Sequence, residues 1–139
     1  MLDVQFIEKC NATLIEAYRL LGESESEGVH YDLYLSAIIK EFEILLEQCG
    51  KLLKKALVPY FHSKKAVDQL TFKDIFRYTG NYGLLSTDEI ERWLNYRDNR
   101  NLTAHDYGFD LAEETLPLIP MFIEDVKRLI KMLRAQNAS

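Results

Sequence analysis

The chain has 139 residues, of which 47% are hydrophobic and 28% charged, and its formal net charge is −5 at pH 7. This size and composition are typical of one globular domain that buries a core without disulfides or metals. The acidic balance alone argues against a nucleic-acid binder. No apolar run approaches the length of a membrane span, and residues 1–10 lack the basic and apolar regions of a signal peptide. We therefore expect a cytoplasmic protein without a membrane segment.

The charge is unevenly distributed along the chain. Residues 1–50 carry ten acidic and three basic side chains, for −7, and residues 78–139 carry ten and seven, for −3. Residues 51–77 carry seven basic and two acidic side chains, for +5. A basic segment on an acidic protein attracts phosphates locally. A solvated helix end is nevertheless the more common explanation of a lysine cluster, and it is our first interpretation.

Apolar residues at three- and four-residue steps predict a first helix, which ends at Gly22 and the polar run 23–28. Both cysteines, Cys10 and Cys49, fall on predicted apolar helix faces. We expect buried free thiols, although a disulfide stays open at this point. The first helix carries its apolar stripe on Ile7, Cys10, Leu14, Ala17 and Leu21.

The second helix has the strongest periodic signal in the chain. Its stripe would make a helix about 39 Å long at 1.5 Å per residue. So wide an apolar face needs at least two neighbouring helices to cover it. Pro59 is expected to end this helix. The stripe consists of Tyr31, Leu35, Ile38, Phe42, Leu45, Cys49, Leu52 and Ala56.

Capping residues mark two further helices. Thr71 with Asp74 opens a short helix, and residues 80–83 form a turn. Ser86 with Glu89 forms a second capping box, so a fourth helix starts near Thr87 and ends near Gly108.

The last segment has one apolar stripe, with prolines at or near its first turn. Together these segments predict an all-α fold: an antiparallel bundle of four or five helices, with residues 1–139 as a single domain. The stripe consists of Ile119, Phe122, Val126, Leu129 and Leu133, and the prolines are Pro117 and Pro120.

The chain lacks the common catalytic and metal-binding motifs. Its three histidines have no metal-ligand spacing with cysteines, carboxylates or one another. There is no glycine-rich phosphate loop and no nucleophile elbow. We therefore expect neither a metal nor a cofactor.

One polar stretch, residues 96–107, separates two apolar helices. Arg97, Asn101 and His105 are four residues apart and would share a helix face. Arg100 would lie about 140° from His105 around an ideal helix. The two converge only if the helix loosens near Thr103 or a second subunit completes the site. By itself the pattern favours a structural explanation, because basic side chains in a last turn complement the helix dipole.

The same stretch resembles the signature of the HEPN superfamily and, more narrowly, its HepT toxin branch, also known as nucleotidyltransferase substrate-binding proteins. The signature is Arg100, the polar Asn101, three more residues, His105, and Tyr107 two residues later. The acidic first helix, the long second helix, the TFKDIFR segment and the helix of Trp93 follow in family order. The resemblance covers essentially the whole chain.

The resemblance implies a metal-independent ribonuclease that works as a homodimer. Arg100 would stabilise the charge that develops on the phosphate of the RNA substrate, and His105 would move protons. Asn101 and Arg97 would support them, although Arg97 lies outside the usual spacing of the motif. In a dimer, two copies of His105 could divide the acid and base roles.

The resemblance also implies a partner, an MNT-type nucleotidyltransferase that acts as antitoxin and transfers AMP to the motif tyrosine, Tyr107. A second interpretation is a non-catalytic subunit that presents a nucleotide or another substrate to the nucleotidyltransferase. The presence of both Arg100 and His105 favours the enzyme.

Overall fold

The computed structural model describes residues 2–103 and 114–138, with the backbone alone described for 101–103. These residues form no strand, and their six α-helices confirm the predicted all-α bundle. None of the described helices is long and apolar enough to cross a membrane. The helices are α1 (Gln5–Gly22), α2 (Val29–Leu57), α3 (Lys64–Asp68), α4 (Phe72–Asn81), α5 (Thr87–Thr103) and α6 (Ile119–Ala138), with 3₁₀ turns at Val58–Tyr60 and Leu116–Leu118.

The first and last helices pack against each other in opposite directions. The backbone N–H of Leu2 donates to Oδ1 of Asn137 at 2.8 Å, and Nδ2 of Asn11 donates to the carbonyl of Ile123 at 3.3 Å. Residue numbers that increase along α1 therefore face decreasing residue numbers along α6, so the two helices are antiparallel. These bonds bring the two ends of the described chain together.

The long helix α2 supplies the centre of the core, but not over its whole length. Residues 29–37 contain no buried side chain, so the predicted stripe enters the core only at Ile38. Tyr31 and Leu35, which the periodicity assigned to the stripe, are half-buried. The helix ends at Leu57, two residues before Pro59, as predicted. Its buried side chains are Ile38, Phe42, Leu45, Leu46, Cys49, Leu53, Ala56 and Leu57.

Aromatic side chains join four helices at the centre of this core. The ring of Phe122 lies 4.7 Å from that of Phe42 and 4.9 Å from that of Tyr96, centroid to centroid. Trp93 lies 5.3 Å from Phe76. These contacts connect α2, α4, α5 and α6, and stacked or edge-to-face aromatic pairs add to the free energy gained by burial.

The two predicted capping boxes are present. Oγ1 of Thr71 accepts from the backbone N–H of Asp74 at 3.2 Å, and the Asp74 carboxylate accepts from that of Thr71 at 3.1 Å. Ser86 and Glu89 exchange the equivalent bonds at 3.2 and 3.3 Å. These caps satisfy backbone donors that a helix start leaves open.

Two local predictions need correction. The turn expected at residues 80–83 is shorter, because α4 continues to Asn81 and the reversal is made by Tyr82 and by Gly83, with φ of 72°. The five-residue α3 was not expected; it is capped by Ser63, whose hydroxyl accepts from the backbone N–H of Ala66. A helix this short has too few residues to show apolar periodicity.

The two cysteines are buried free thiols, as predicted. Burial raises the pKa of the Cys10 thiol to about 11, and the neighbouring Glu41 carboxylate adds to the shift. Burial also raises the pKa of Cys49. Both thiols are therefore protonated and unreactive at neutral pH.

A buried carboxylate connects α5 to α6. Asp125 has no solvent exposure, yet it accepts hydrogen bonds from four donor atoms. Nε and one terminal nitrogen of Arg92 donate at 2.8 Å each, Arg128 donates at 2.9 Å, and the Tyr96 hydroxyl donates at 2.5 Å. Burial, reinforced by the bond to Asp125, raises the pKa of Tyr96. No pattern in the sequence predicted this network.

Asp125→Ala is expected to lower the free energy of unfolding by about 2–4 kcal/mol, because the buried Tyr96 hydroxyl loses its acceptor and two arginines lose their partner. Urea denaturation followed by circular dichroism measures the change. The matched control is Glu124→Ala, which removes the neighbouring exposed carboxylate and should cost less than about 0.5 kcal/mol. Equal losses for the two variants would contradict a structural role for Asp125.

Candidate functional site

Helix α5 carries the described part of the candidate site. Its inner face is apolar at Ile90, Trp93 and Tyr96, which are all buried. The polar stretch begins immediately after this face, with Arg97 and Arg100 both half-buried. Arg100 is four residues after Tyr96, so it continues the inner face by one turn. The helix thus places a guanidinium where its apolar packing ends.

Arg97 is held against the neighbouring helices by an aromatic ring. The central carbon of its guanidinium lies 4.8 Å from the ring centroid of Phe72 in α4, which is a cation–π contact. The same ring packs on Gly50 of α2, where an added Cβ would come within 3.1 Å of it. Arg97 therefore has a structural contact of its own. This contact fixes the last turns of α5 relative to α2 and α4.

Arg97 and Arg100 are neighbours on the helix surface. Residues three apart on an α-helix have Cβ atoms about 5–6 Å from each other. The two arginines are therefore on consecutive turns at the end of α5. A guanidinium can bind a phosphate through two parallel N–H···O bonds. These two arginines are the side chains of the described part of the site that could bind an anion.

A buried hydrogen bond links the end of α5 to the start of the last helical region. The Thr115 hydroxyl donates to Oδ1 of Asn99 at 3.0 Å, and both side chains are buried. The predicted residues His105 and Tyr107 lie in the chain between these two positions. The bond therefore sets the distance between Asn99 and Thr115, which flank the part of the sequence that contains His105 and Tyr107. It could not be predicted from the sequence, because no periodic pattern connects side chains 16 residues apart.

The structure describes only part of the predicted site. Arg97 and Arg100 lie in regular helix. The side chain of Asn101 and the whole of His105 and Tyr107 lie outside the described residues. The convergence of Arg100 and His105 therefore stays a prediction. Within the described part of the chain, no group of three or more His, Cys, Asp and Glu side chains is arranged to hold a metal ion.

Comparison with known proteins identifies the family. The family described as nucleotidyltransferase substrate binding protein like matches residues 5–135. The chain belongs to this family, which is the HepT-like family. The match confirms the resemblance that the motif and the order of the helices indicated.

Individual relatives agree with this assignment. A Haemophilus influenzae protein named Probable ribonuclease HepT is 29% identical over 106 residues, which are 76% of this chain and 71% of the relative. A solved H. influenzae structure, described as the substrate binding domain of a nucleotidyltransferase, superposes with a TM-score of 0.80 at 23% identity, covering 95% of this chain and 99% of that one. A Thermus thermophilus structure has a TM-score of 0.72 at 28% identity, covering 92% and 98%.

Proposed function

We propose that this protein is a metal-independent endoribonuclease, the toxin of a type VII-like HEPN/MNT toxin–antitoxin pair. The observation that carries the proposal is the complete motif, Arg100, Asn101, His105 and Tyr107, in a chain that belongs to the HepT-like family. The relative named Probable ribonuclease HepT supports an RNA substrate. Arg97 and Arg100, three residues apart on α5, are of the residue type that binds its phosphate. We assign the activity to the cytoplasm, where RNA is available.

The proposed reaction uses the RNA's own 2′-hydroxyl as nucleophile. A histidine base takes the proton of that hydroxyl, the 2′-oxygen bonds to phosphorus, and the bond to the 5′-oxygen breaks. A histidine acid protonates this leaving oxygen, so the products are a 2′,3′-cyclic phosphate and a 5′-hydroxyl. His105 suits both steps because imidazole titrates near neutral pH. Arg100 stabilises the additional negative charge of the phosphorane.

The supporting residues act on the same phosphate. Arg97, held on the ring of Phe72, adds a fixed positive charge one turn before Arg100. Asn101 orients the phosphate or the imidazole of His105. Because Arg97 has a packing partner, its removal would affect both the stability of α5 and the charge of the site.

We further propose that the site is completed in a homodimer. The first turns of α2 lie outside the core and expose apolar side chains, with Val29 75% and Leu33 60% exposed. Large apolar side chains this exposed favour burial against a partner. A second subunit would also resolve the offset of Arg100 from His105 around the helix, because the two residues could then meet across the interface.

The second candidate function is a non-catalytic subunit that presents a nucleotide to an MNT-type nucleotidyltransferase. The description of the family supports it, since it names substrate binding for a nucleotidyltransferase. Both candidates include the same partner enzyme. They differ in whether the chain cleaves RNA, so a cleavage measurement on the purified protein separates them.

Purified protein should cleave single-stranded RNA in excess EDTA and leave 2′,3′-cyclic phosphate ends. Arg100→Ala and His105→Ala should each lower the rate by about 10²–10⁴-fold, because one removes charge stabilisation and the other proton transfer. The matched control is Arg19→Ala, which removes an exposed arginine of α1. Loss of cleavage on chelation with recovery in magnesium, or 5′-phosphate ends, would refute this mechanism.

Sedimentation velocity at micromolar concentration should show a dimer. Leu33→Asp should shift the protein toward monomer and lower RNA cleavage in parallel, because it adds a charge to the exposed start of α2. Thr13→Asp is the control: it adds the same charge at an exposed polar position of α1 and should leave the dimer intact. A monomeric native protein that still cleaves RNA would eliminate the composite site.

Tyr107 should acquire AMP when the protein is incubated with its nucleotidyltransferase and ATP. The tyrosine oxygen attacks the α-phosphate of ATP and loses its proton, and pyrophosphate leaves from the α-phosphate. The attached phosphodiester can pair with Arg100, so modification should block RNA by charge and bulk. Mass spectrometry locates the adenylate. Tyr107→Phe should escape neutralisation, and adenylate on another residue would remove Tyr107 from the mechanism.

A further inference from the structure

The basic segment of the sequence forms a groove on the surface of the folded protein. The groove has a volume of about 300 Å³ and lies between the C-terminal half of α2 and the short helix α3. Four lysines line it, and Asp68 is the sole acidic residue among the described ones that line it. The lysines are Lys51, Lys54, Lys55 and Lys64.

Two of these four lysines form ion pairs within the described part of the protein. Nζ of Lys54 lies 3.6 Å from the Asp68 carboxylate and 3.2 Å from its carbonyl oxygen, so Lys54 fastens α3 to α2. Lys51 has an exposed pair with Glu47 at 3.2 Å, which is worth little in water. Within the described residues, Lys55 and Lys64 make no ion pair. The groove thus keeps a net positive charge.

An exposed aromatic pair lies beside the groove. The 3₁₀ turn that contributes Val58 to the lining also carries Tyr60, and the ring of Tyr60 stacks on that of Tyr82 at 4.4 Å. The two side chains are 39% and 41% exposed. The Tyr82 hydroxyl donates to the carbonyl of Tyr60 at 3.4 Å, which keeps the two residues together. One exposed ring face next to lysines is the combination that binds single-stranded nucleic acid, where phosphates pair with lysine and a base stacks.

The groove is connected to the end of α5 by direct packing. Lys51 and Lys54 follow Gly50 within about one turn of α2, and Gly50 contacts the ring of Phe72. The same ring carries the guanidinium of Arg97. The groove and the end of α5 are therefore joined through the ring of Phe72.

We propose that this groove, with Tyr60 at its side, binds single-stranded RNA outside the motif and so holds the substrate while one phosphate is cleaved. The choice of RNA as ligand rests on the proposed ribonuclease function. Lysines act as point charges without a fixed hydrogen-bond geometry, so this contact is made to phosphates and is independent of sequence. An acidic protein partner would use the lysines but would have no need of the ring face of Tyr60.

The test measures binding of a fluorescent oligouridylate by anisotropy at several salt concentrations. Full-length His105→Ala protein is used, so that the RNA survives. Adding Lys51→Gln, Lys55→Gln and Lys64→Gln should weaken binding by at least about tenfold and reduce the salt slope by about 2, the value for three lost phosphate contacts. Lys54 is kept because it fastens α3.

The matched control carries Lys40→Gln, Lys127→Gln and Lys131→Gln, three exposed lysines elsewhere on α2 and α6. It has the same net charge as the groove variant and should bind within about twofold of the parent. Equal losses for the two variants would mean that binding follows net charge, which would overturn the proposal. The proposal would also be overturned if a groove variant bound RNA as the parent does but no longer bound the nucleotidyltransferase.

The aromatic contact is tested separately. Tyr60→Ala should weaken binding by about tenfold with an unchanged salt slope, whereas Tyr60→Phe keeps the ring face and should bind like the parent. Equal binding by all three proteins would remove Tyr60 from the site.

RNA cleavage by the chain with His105 intact separates the groove proposal from the proposed ribonuclease function. If the groove binds RNA but no cleavage occurs, the ribonuclease function fails; if cleavage occurs and the groove variant binds and cleaves normally, the groove fails.

Discussion

Asp125 is a fully buried charge in the middle of an otherwise apolar helix face, and the position of the candidate site depends on it. A carboxylate without solvent is tolerated only where several donors replace its water. Arg92, Tyr96 and Arg128 supply these donors, and two of the three lie on α5. Helix α5 therefore cannot slide or rotate on α6 without breaking three of the four hydrogen bonds of a buried carboxylate. The register of Arg100, two turns beyond Arg92, follows from this constraint.

The last turns of α5 are then fixed from two further sides. Arg97 packs on Phe72, which anchors the helix to α4 and α2, and Asn99 is bonded to Thr115. Rate acceleration by a positioned arginine depends on its geometry, so a helix held at its middle and near its end is a suitable support. The cation–π contact of Arg97 and the buried hydrogen bond of Asn99 thus orient the end of a helix that carries two arginines there.

Periodicity and capping chemistry predicted the fold well because both are local. The stripes of α1 and α6, the caps at Thr71 and Ser86 and the end of α2 before Pro59 were all confirmed. Apart from the short α3 and the turn after α4, the failures were non-local: Asp125 interrupts an apolar face, and its principal partner is 33 residues away. The site was predictable only by resemblance, since helical spacing alone separates Arg100 from His105 and favours a structural explanation for both.

The charge distribution limits what the net charge alone says about the partners of this protein. At physiological ionic strength, charges separated by more than about 8 Å are largely screened from each other in water. A phosphate in the groove is therefore attracted by Lys55 and Lys64 more strongly than it is repelled by distant acidic side chains. The acidic residues of the remaining surface repel a polyanion at longer range and in low salt. We therefore expect an RNA strand to be drawn to the groove and repelled by the acidic surface around it, which would orient the strand on the protein.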